Sequence, residues 1–230
     1  MTGWRSEKMT LAPEYDIYNG TWGFCNPQKE LYDAFVAEEG ENGLRLTQSI
    51  ISYNRLIEKG FEIKPTDVLY GCEGSLMWKT RKVNGEFITG GFMASHNNSR
   101  VMRYPEVLLL AAEAHVKGGG SKAADYLNEV RTRAGLSPKN SVTMEDVMLE
   151  KRLELCGESV RYQDMLRWRI ADKMINQGTR TPSLPSNGVV TYQSFNSAGA
   201  AGFKSNMHWL LPFPQTEITL NPNIKQNTGW

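Results

Sequence analysis

Residues 103–136 read RYPEVLLLAAEAHVKGGGSKAADYLNEVRTRAGL, and this stretch decides the fold. From Tyr104 to Lys117, Val107, Leu108, Leu110, Ala111, Ala112 and Ala114 recur at helical spacing. Pro105 suits a first helical turn, and Gly118-Gly119-Gly120 stops the helix. Ser121 is placed to cap a second helix that carries Ala124, Leu127, Val130 and Arg131 on one face. Gly135 and Pro138 end it. Two helices joined by a short turn, with alanines at the contact, predict a closely packed antiparallel hairpin.

That hairpin has the geometry of a tetratricopeptide-like unit. Downstream, Thr143 opens a third helix, and Asp146 stands where a capping-box acid would stand. Met144, Val147, Met148, Leu149, Leu153, Leu155 and Cys156 give that helix a broad apolar face. Gly157 interrupts it, and a fourth helix is expected over Ser159 to Met174. Upstream, Pro27 to Glu38 reads as a short amphipathic helix, with Asn26 as cap and Leu31 and Phe35 on one face. Leu44 to Phe61 fits helix and strand equally well. Residues 1–26, 62–100 and 176–206 are poorly periodic, with a β-like piece at Phe87-Ile88-Thr89. The last twenty residues hold three prolines and three asparagines among apolar side chains. They cannot form a long helix or a central strand, and they predict an ordered strap over the body. Trp168, Trp209 and Trp230 are expected in the core.

At 230 residues, with 40% hydrophobic and 22% charged residues, the chain can bury a core in one large domain or two small ones. Its 26 basic and 25 acidic side chains balance to +1, which argues against nucleic acid or an anionic membrane surface as partner. Cys25, Cys72 and Cys156 are far apart and include no CxxC pair, so neither a metal site nor a disulfide framework is expected; a single Cys25–Cys72 bridge stays open. There is no transmembrane run and no signal peptide.

Glu150, Arg152, Glu154, Arg161, Asp164 and Arg167 interleave acids and bases over two predicted helices. Paired carboxylates can serve as general acid and base, but that requires a carboxylate of raised pKa. Arginines within helical reach lower it instead, so these residues read as a structural ion-pair network between the helices. His96, His115 and His208 are too scattered for a triad or a metal cluster. No P-loop spacing follows the triple glycine. No catalytic residue, metal or cofactor is expected. The aromatic loops are the better candidates for function. Trp and Tyr rings stack on the apolar faces of sugars, and amides and carboxylates bind the hydroxyls. Trp4, Tyr15, Tyr18, Asn19, Trp22 and Trp78 are the candidate ligand-binding residues.

Three segments together resemble the SusD/RagB family of outer-membrane nutrient-binding lipoproteins of Bacteroidetes. Arg103 to Ala114 is similar to the family's RYAEVLLMYAEA. Leu127 to Leu136, Glu150 to Leu155 and Arg161 to Trp168 look like its N-x-VR-x-RAGL, E-x-RLEL and R-x-x-DLRRW. The closing Leu211 to Trp230 is similar to LPIPQSEIDLNPNLKQNPGY, and Pro27 to Phe35 looks like PTQELVDAF.

The resemblance implies a mainly α, SusD-like fold: tetratricopeptide-like helical hairpins with long irregular loops and a few short strands. It implies a single SusD-like C-terminal domain over 1–230, either the C-terminal portion of such a protein or an unusually short member. Within it, 1–100 would be the loop-rich ligand side, 101–175 the helical scaffold, and 176–230 a loop and the closing strap. The family's lipoprotein signal and earlier helical region are not seen, so any lipid anchor is expected to lie outside this chain. The implied function is non-enzymatic capture of an oligosaccharide or polysaccharide at the cell surface for a SusC-type TonB-dependent transporter. The resemblance does not choose among starch, fructan, mucin glycan, host glycan and peptide. The alternative is a helical scaffold that docks on the transporter or another protein and binds no sugar.

Overall fold

The computed structural model describes residues 9–10, 26–63, 68–70, 73–81, 98, 100–175, 180–185, 189, 191–194 and 202–230. Trp4, Tyr15, Tyr18, Asn19, Trp22, Cys25, Cys72 and the Phe87–Thr89 piece lie outside the described residues. Two compact units are present. One holds residues 1–159 and 182–193; the other holds 160–181 and 194–230.

In the first unit, helix α4 (Tyr104–Gly118) packs on α5 (Ala123–Arg133), and both pack on α6 (Met144–Glu154). Pro105 sits in the first turn of α4, and Gly119 ends it in the left-handed region at φ 70°. Leu108, Leu109, Ala112, Leu127, Val130 and Val147 form the shared core. Ser121 does not cap α5, which begins after Lys122 without a side-chain cap. The Thr143–Asp146 capping box is complete: Thr143 Oγ1 accepts from the Asp146 N–H, and the Asp146 carboxylate accepts from the Thr143 N–H.

A second core joins the preceding segment to α6. Helix α1 (Lys29–Glu39) and helix α2 (Leu44–Ser49) bring Phe35 and Leu46 against Leu153 and Cys156. Ile50 joins them from strand β2 (Ile50–Ser52). Helix α1 starts two residues later than its sequence suggests. Asn26 does not cap it; the Lys29 N–H donates to the Glu73 carboxylate 44 residues away, at 2.7 Å. The ambiguous stretch after Leu44 uses both conformations. After β2 the chain turns into α3 (Tyr53–Glu58), capped by the Ser52 side chain.

The strands are short. β1 (Met9–Thr10) pairs with β3 (Glu62–Ile63), and β2 pairs antiparallel with β5 (Ser75–Met77). β4 (Val68–Tyr70), β6 (Arg180–Pro185) and β7 (Thr191–Ser194) form a three-stranded sheet, so strands occur within the expected 176–206 loop.

In the second unit, the expected Ser159–Met174 helix is two pieces, α7 (Arg161–Arg167) and α8 (Ala171–Met174). Arg169 lies in the left-handed region at φ 59°, which breaks helical continuation. The closing segment contains α9 (Gln215–Leu220) and folds back on its own beginning. Trp209 is half-buried against Phe203, whereas Trp230 is exposed rather than in the core. Trp168 is half-buried, with the Arg167 guanidinium 4.9 Å from its ring centre.

Candidate functional site

Of the six candidate ligand residues, Trp78 is the one among the described residues. It directly follows β5, and its N–H donates to the Ser49 carbonyl at 2.9 Å, which extends the β2–β5 pairing. Its side chain is only 7% exposed, and the Arg81 guanidinium lies 4.6 Å from the ring centre. That is a packed position, with a cation already on the ring. Tyr192 falls within β7.

The buried charge network centres on α6. Glu150 and Glu154 are four residues apart and share one face of α6. Glu150 Oε1 accepts from Arg45 Nη1 at 2.5 Å, and its Oε2 accepts from Arg131 Nη1 at 3.1 Å. Glu154 Oε1 accepts from Arg103 Nη2 at 3.0 Å and from Arg133 Nη2 at 2.6 Å. In the turn beyond α6, both carboxylate oxygens of Glu158 accept from one edge of Arg103, Oε2 from Nε at 2.6 Å and Oε1 from Nη2 at 2.7 Å, and Glu158 also pairs with Lys79. Glu39 and Glu38, at the end of α1, bind Arg45 and Arg131.

The network is of the expected kind, but its partners are not the expected ones. The arginines on Glu150 and Glu154 come from α2, α4's N-cap and α5 rather than from α6 and α7. Arg152 has no ion pair among the described residues; burial pushes its pKa down, and Glu30 offsets this in part. Asp164 pairs with Arg167 within α7, at 2.9 Å, and Arg161 lies 5.9 Å from the centre of the Trp168 ring. Arg45, Arg131 and Lys79 were missed as members because the carboxylates they reach on and just beyond α6 lie 19 to 105 residues away.

Electrostatics fit a structural role. Burial alone would raise the Glu158 pKa, but hydrogen bonds from Arg103 and Lys79 hold it below the usual value. Burial alone would lower the Arg45 pKa, and Glu150 and Glu39 more than reverse that. A carboxylate held down in this way makes a poor general acid. Among the described residues, no group of His, Cys, Asp and Glu could hold a metal ion. Cys156 is a buried free thiol whose pKa burial pushes up. The network ties the segment of α1, α2 and Trp78 to the helical scaffold.

Residues 70–230, more than half of the chain, match the SusD family. The chain belongs to the SusD family. A SusD-like protein of Bacteroides ovatus is 26% identical over 163 residues, covering 58% of this chain and 30% of its own. A solved laminarin-binding SusD-like protein superposes with a TM-score of 0.71 at 28% identity, covering 100% of this chain and 43% of its own. Surface glycan-binding protein A from Bacteroides uniformis gives a TM-score of 0.63 at 28% identity, covering 94% of this chain and 44% of its own. This chain thus spans less than half the length of these SusD relatives. Their mainly helical architecture is the one expected from the sequence.

Proposed function

We propose that this chain is part of a cell-surface protein that captures a glycan without cleaving it. We propose further that it delivers the glycan to a SusC-type TonB-dependent outer-membrane transporter. The observation that carries this reading is the superposition of the whole chain on a laminarin-binding SusD-like protein. It makes laminarin, a β-glucan, the first ligand to test. Aromatic side chains in the loop-rich ligand-side region would stack on the sugar faces, with Trp4, Tyr15, Tyr18, Asn19 and Trp22 as its candidates. The buried arginine–carboxylate network would hold the helical scaffold rigid, which limits the ordering cost of binding. Attachment to the outer membrane would come from a lipid anchor. Among the described residues, no helix is long and apolar enough to cross a membrane.

A second reading, a scaffold that docks on the transporter and binds no sugar, draws support from the burial of Trp78. Affinity electrophoresis through gels containing laminarin, starch or fructan, with an assay for new reducing ends, separates the readings. Retardation by a glycan with no new reducing ends supports capture. Free migration through every gel supports the scaffold, and released reducing ends overturn the non-enzymatic reading.

A further inference from the structure

The charge network holds one donor and one acceptor that it does not itself satisfy, on two neighbouring side chains. Arg45 donates from Nε to Glu39 Oε1 at 2.5 Å and from Nη1 to Glu150 Oε1 at 2.5 Å. Its Nη2 is buried and has no hydrogen-bond partner among the described residues. Glu154 uses Oε1 to accept from Arg103 at 3.0 Å and from Arg133 at 2.6 Å. Its Oε2 is likewise buried with no hydrogen-bond partner among the described residues. Arg45 Nη1 stands 3.6 Å from Glu154 Oε2, which is ion-pair distance but too long for a direct hydrogen bond. The two side chains are 6% and 2% exposed, so bulk solvent does not reach them. Polar atoms this deeply buried are rarely left unsatisfied in a native protein, and in a medium of low dielectric the cost of leaving them so is high.

Three properties of the site define what would satisfy both atoms. The first is charge. Arg45, Arg103, Arg131, Arg133 and Lys79 meet an equal number of glutamates in the network, Glu38, Glu39, Glu150, Glu154 and Glu158, so its charges cancel and favour a neutral molecule. The second is polarity. The molecule must accept from Arg45 Nη2 and donate to Glu154 Oε2. The third is surroundings. The Phe35 ring centre lies 5.9 Å from the Arg45 guanidinium carbon, and Phe35 belongs to the close-packed core with Leu46 and Leu153, so the site adjoins apolar side chains on that flank. A charged donor and acceptor held just beyond hydrogen-bond distance are commonly bridged by one water molecule, and buried waters are found where buried polar groups lack protein partners.

We infer that one ordered water molecule is bound between Arg45 and Glu154, accepting from Nη2 and donating to Oε2. It adds a link between α2 and α6 beside the direct Arg45–Glu150 pair, and it gives both oxygens of Glu154 a hydrogen bond. This site is separate from glycan capture and does not depend on it.

The test is a crystal structure of the full-length protein at a resolution that shows ordered water, with a second crystal soaked in bromide. One density peak within hydrogen-bond distance of both Arg45 Nη2 and Glu154 Oε2, with no anomalous signal after the soak, is the expected result. Neutron diffraction after exchange into heavy water should place a deuterium of that molecule toward Glu154 Oε2. A direct Nη2–Oε2 hydrogen bond, or another protein group on either atom, overturns the water site. A bromide peak there overturns the neutral occupant, and both atoms bare in well-defined density overturn any occupant.

Discussion

Arg45 and Glu150, 105 residues apart in sequence, form a buried ion pair with Nη1 and Oε1 separated by 2.5 Å. It is the link that fastens the segment after α1 to the third scaffold helix. Both side chains are nearly inaccessible to water, and each has a further opposite charge: Glu39 on Arg45 and Arg131 on Glu150. Glu150→Gln takes one carboxylate from each of Arg45 and Arg131, leaving Arg45 with Glu39 and Glu154 and Arg131 with Glu38. It is therefore expected to destabilise the protein by about 1–3 kcal/mol, the cost of buried groups left short of a partner. Urea unfolding measures this, and a midpoint equal to the parent's would contradict the clamp.

Acid should loosen the same region. The folded-state pKa values of Glu158 and Asp146 are both held below their ordinary values, Glu158 by Arg103 and Lys79, and Asp146 by Lys139 and Thr143, each against a burial effect that alone would raise them. Their contributions are complete above the unfolded carboxylate pKa and are lost as pH falls through the lower folded values. Urea midpoints followed from about pH 7 to about pH 3 should decline, and Glu158→Gln should decline less steeply. Parallel curves for parent and variant would exclude Glu158 from the acid response.

The N-terminus of α6 is set by a local device. Thr143→Ala removes one half of the capping box and is expected to cost about 1 kcal/mol of stability. Thr143→Ser keeps the hydroxyl and should restore most of it. Equal losses in the two variants would argue against the hydrogen bond as the cause.

Gly229 closes the terminal segment at φ 92°, and a Cβ there would meet the Asn206 carbonyl at 2.5 Å. Gly229→Ala is expected to strain the closure by about 1–3 kcal/mol. Backbone amides in 203–230 should then exchange hydrogen faster, while those of α4 and α5 keep their protection. Unchanged exchange in 203–230 would show that the closure does not depend on this glycine.

Local chemistry was legible in the sequence, and long-range partnership was not. The α4–α5 hairpin and the Thr143–Asp146 box follow from residues within a few positions of each other. The start of α1 was misread because its cap, Glu73, is 44 residues away. Nothing in Ser159–Met174 marks the break at Arg169, since neither glycine nor proline stands there. The charge network was expected between α6 and α7 because helical spacing reveals only near neighbours, whereas Arg45, Arg103 and Arg131 arrive through tertiary packing. For the candidate site, side-chain type suggested stacking chemistry, but it could not foretell that Trp78 would be packed beneath Arg81.

The most direct test of the account is calorimetric titration of the full-length protein with laminarin, beside its Trp4→Ala and Trp22→Ala variants. Saturable binding is predicted for the parent, weakened in the variants by about 1–3 kcal/mol each where a ring stacks on sugar, a value borrowed from stacking on other planar ligands. Binding unchanged in both variants would remove these residues from the site. No binding by the parent to laminarin, starch or fructan would contradict glycan capture itself.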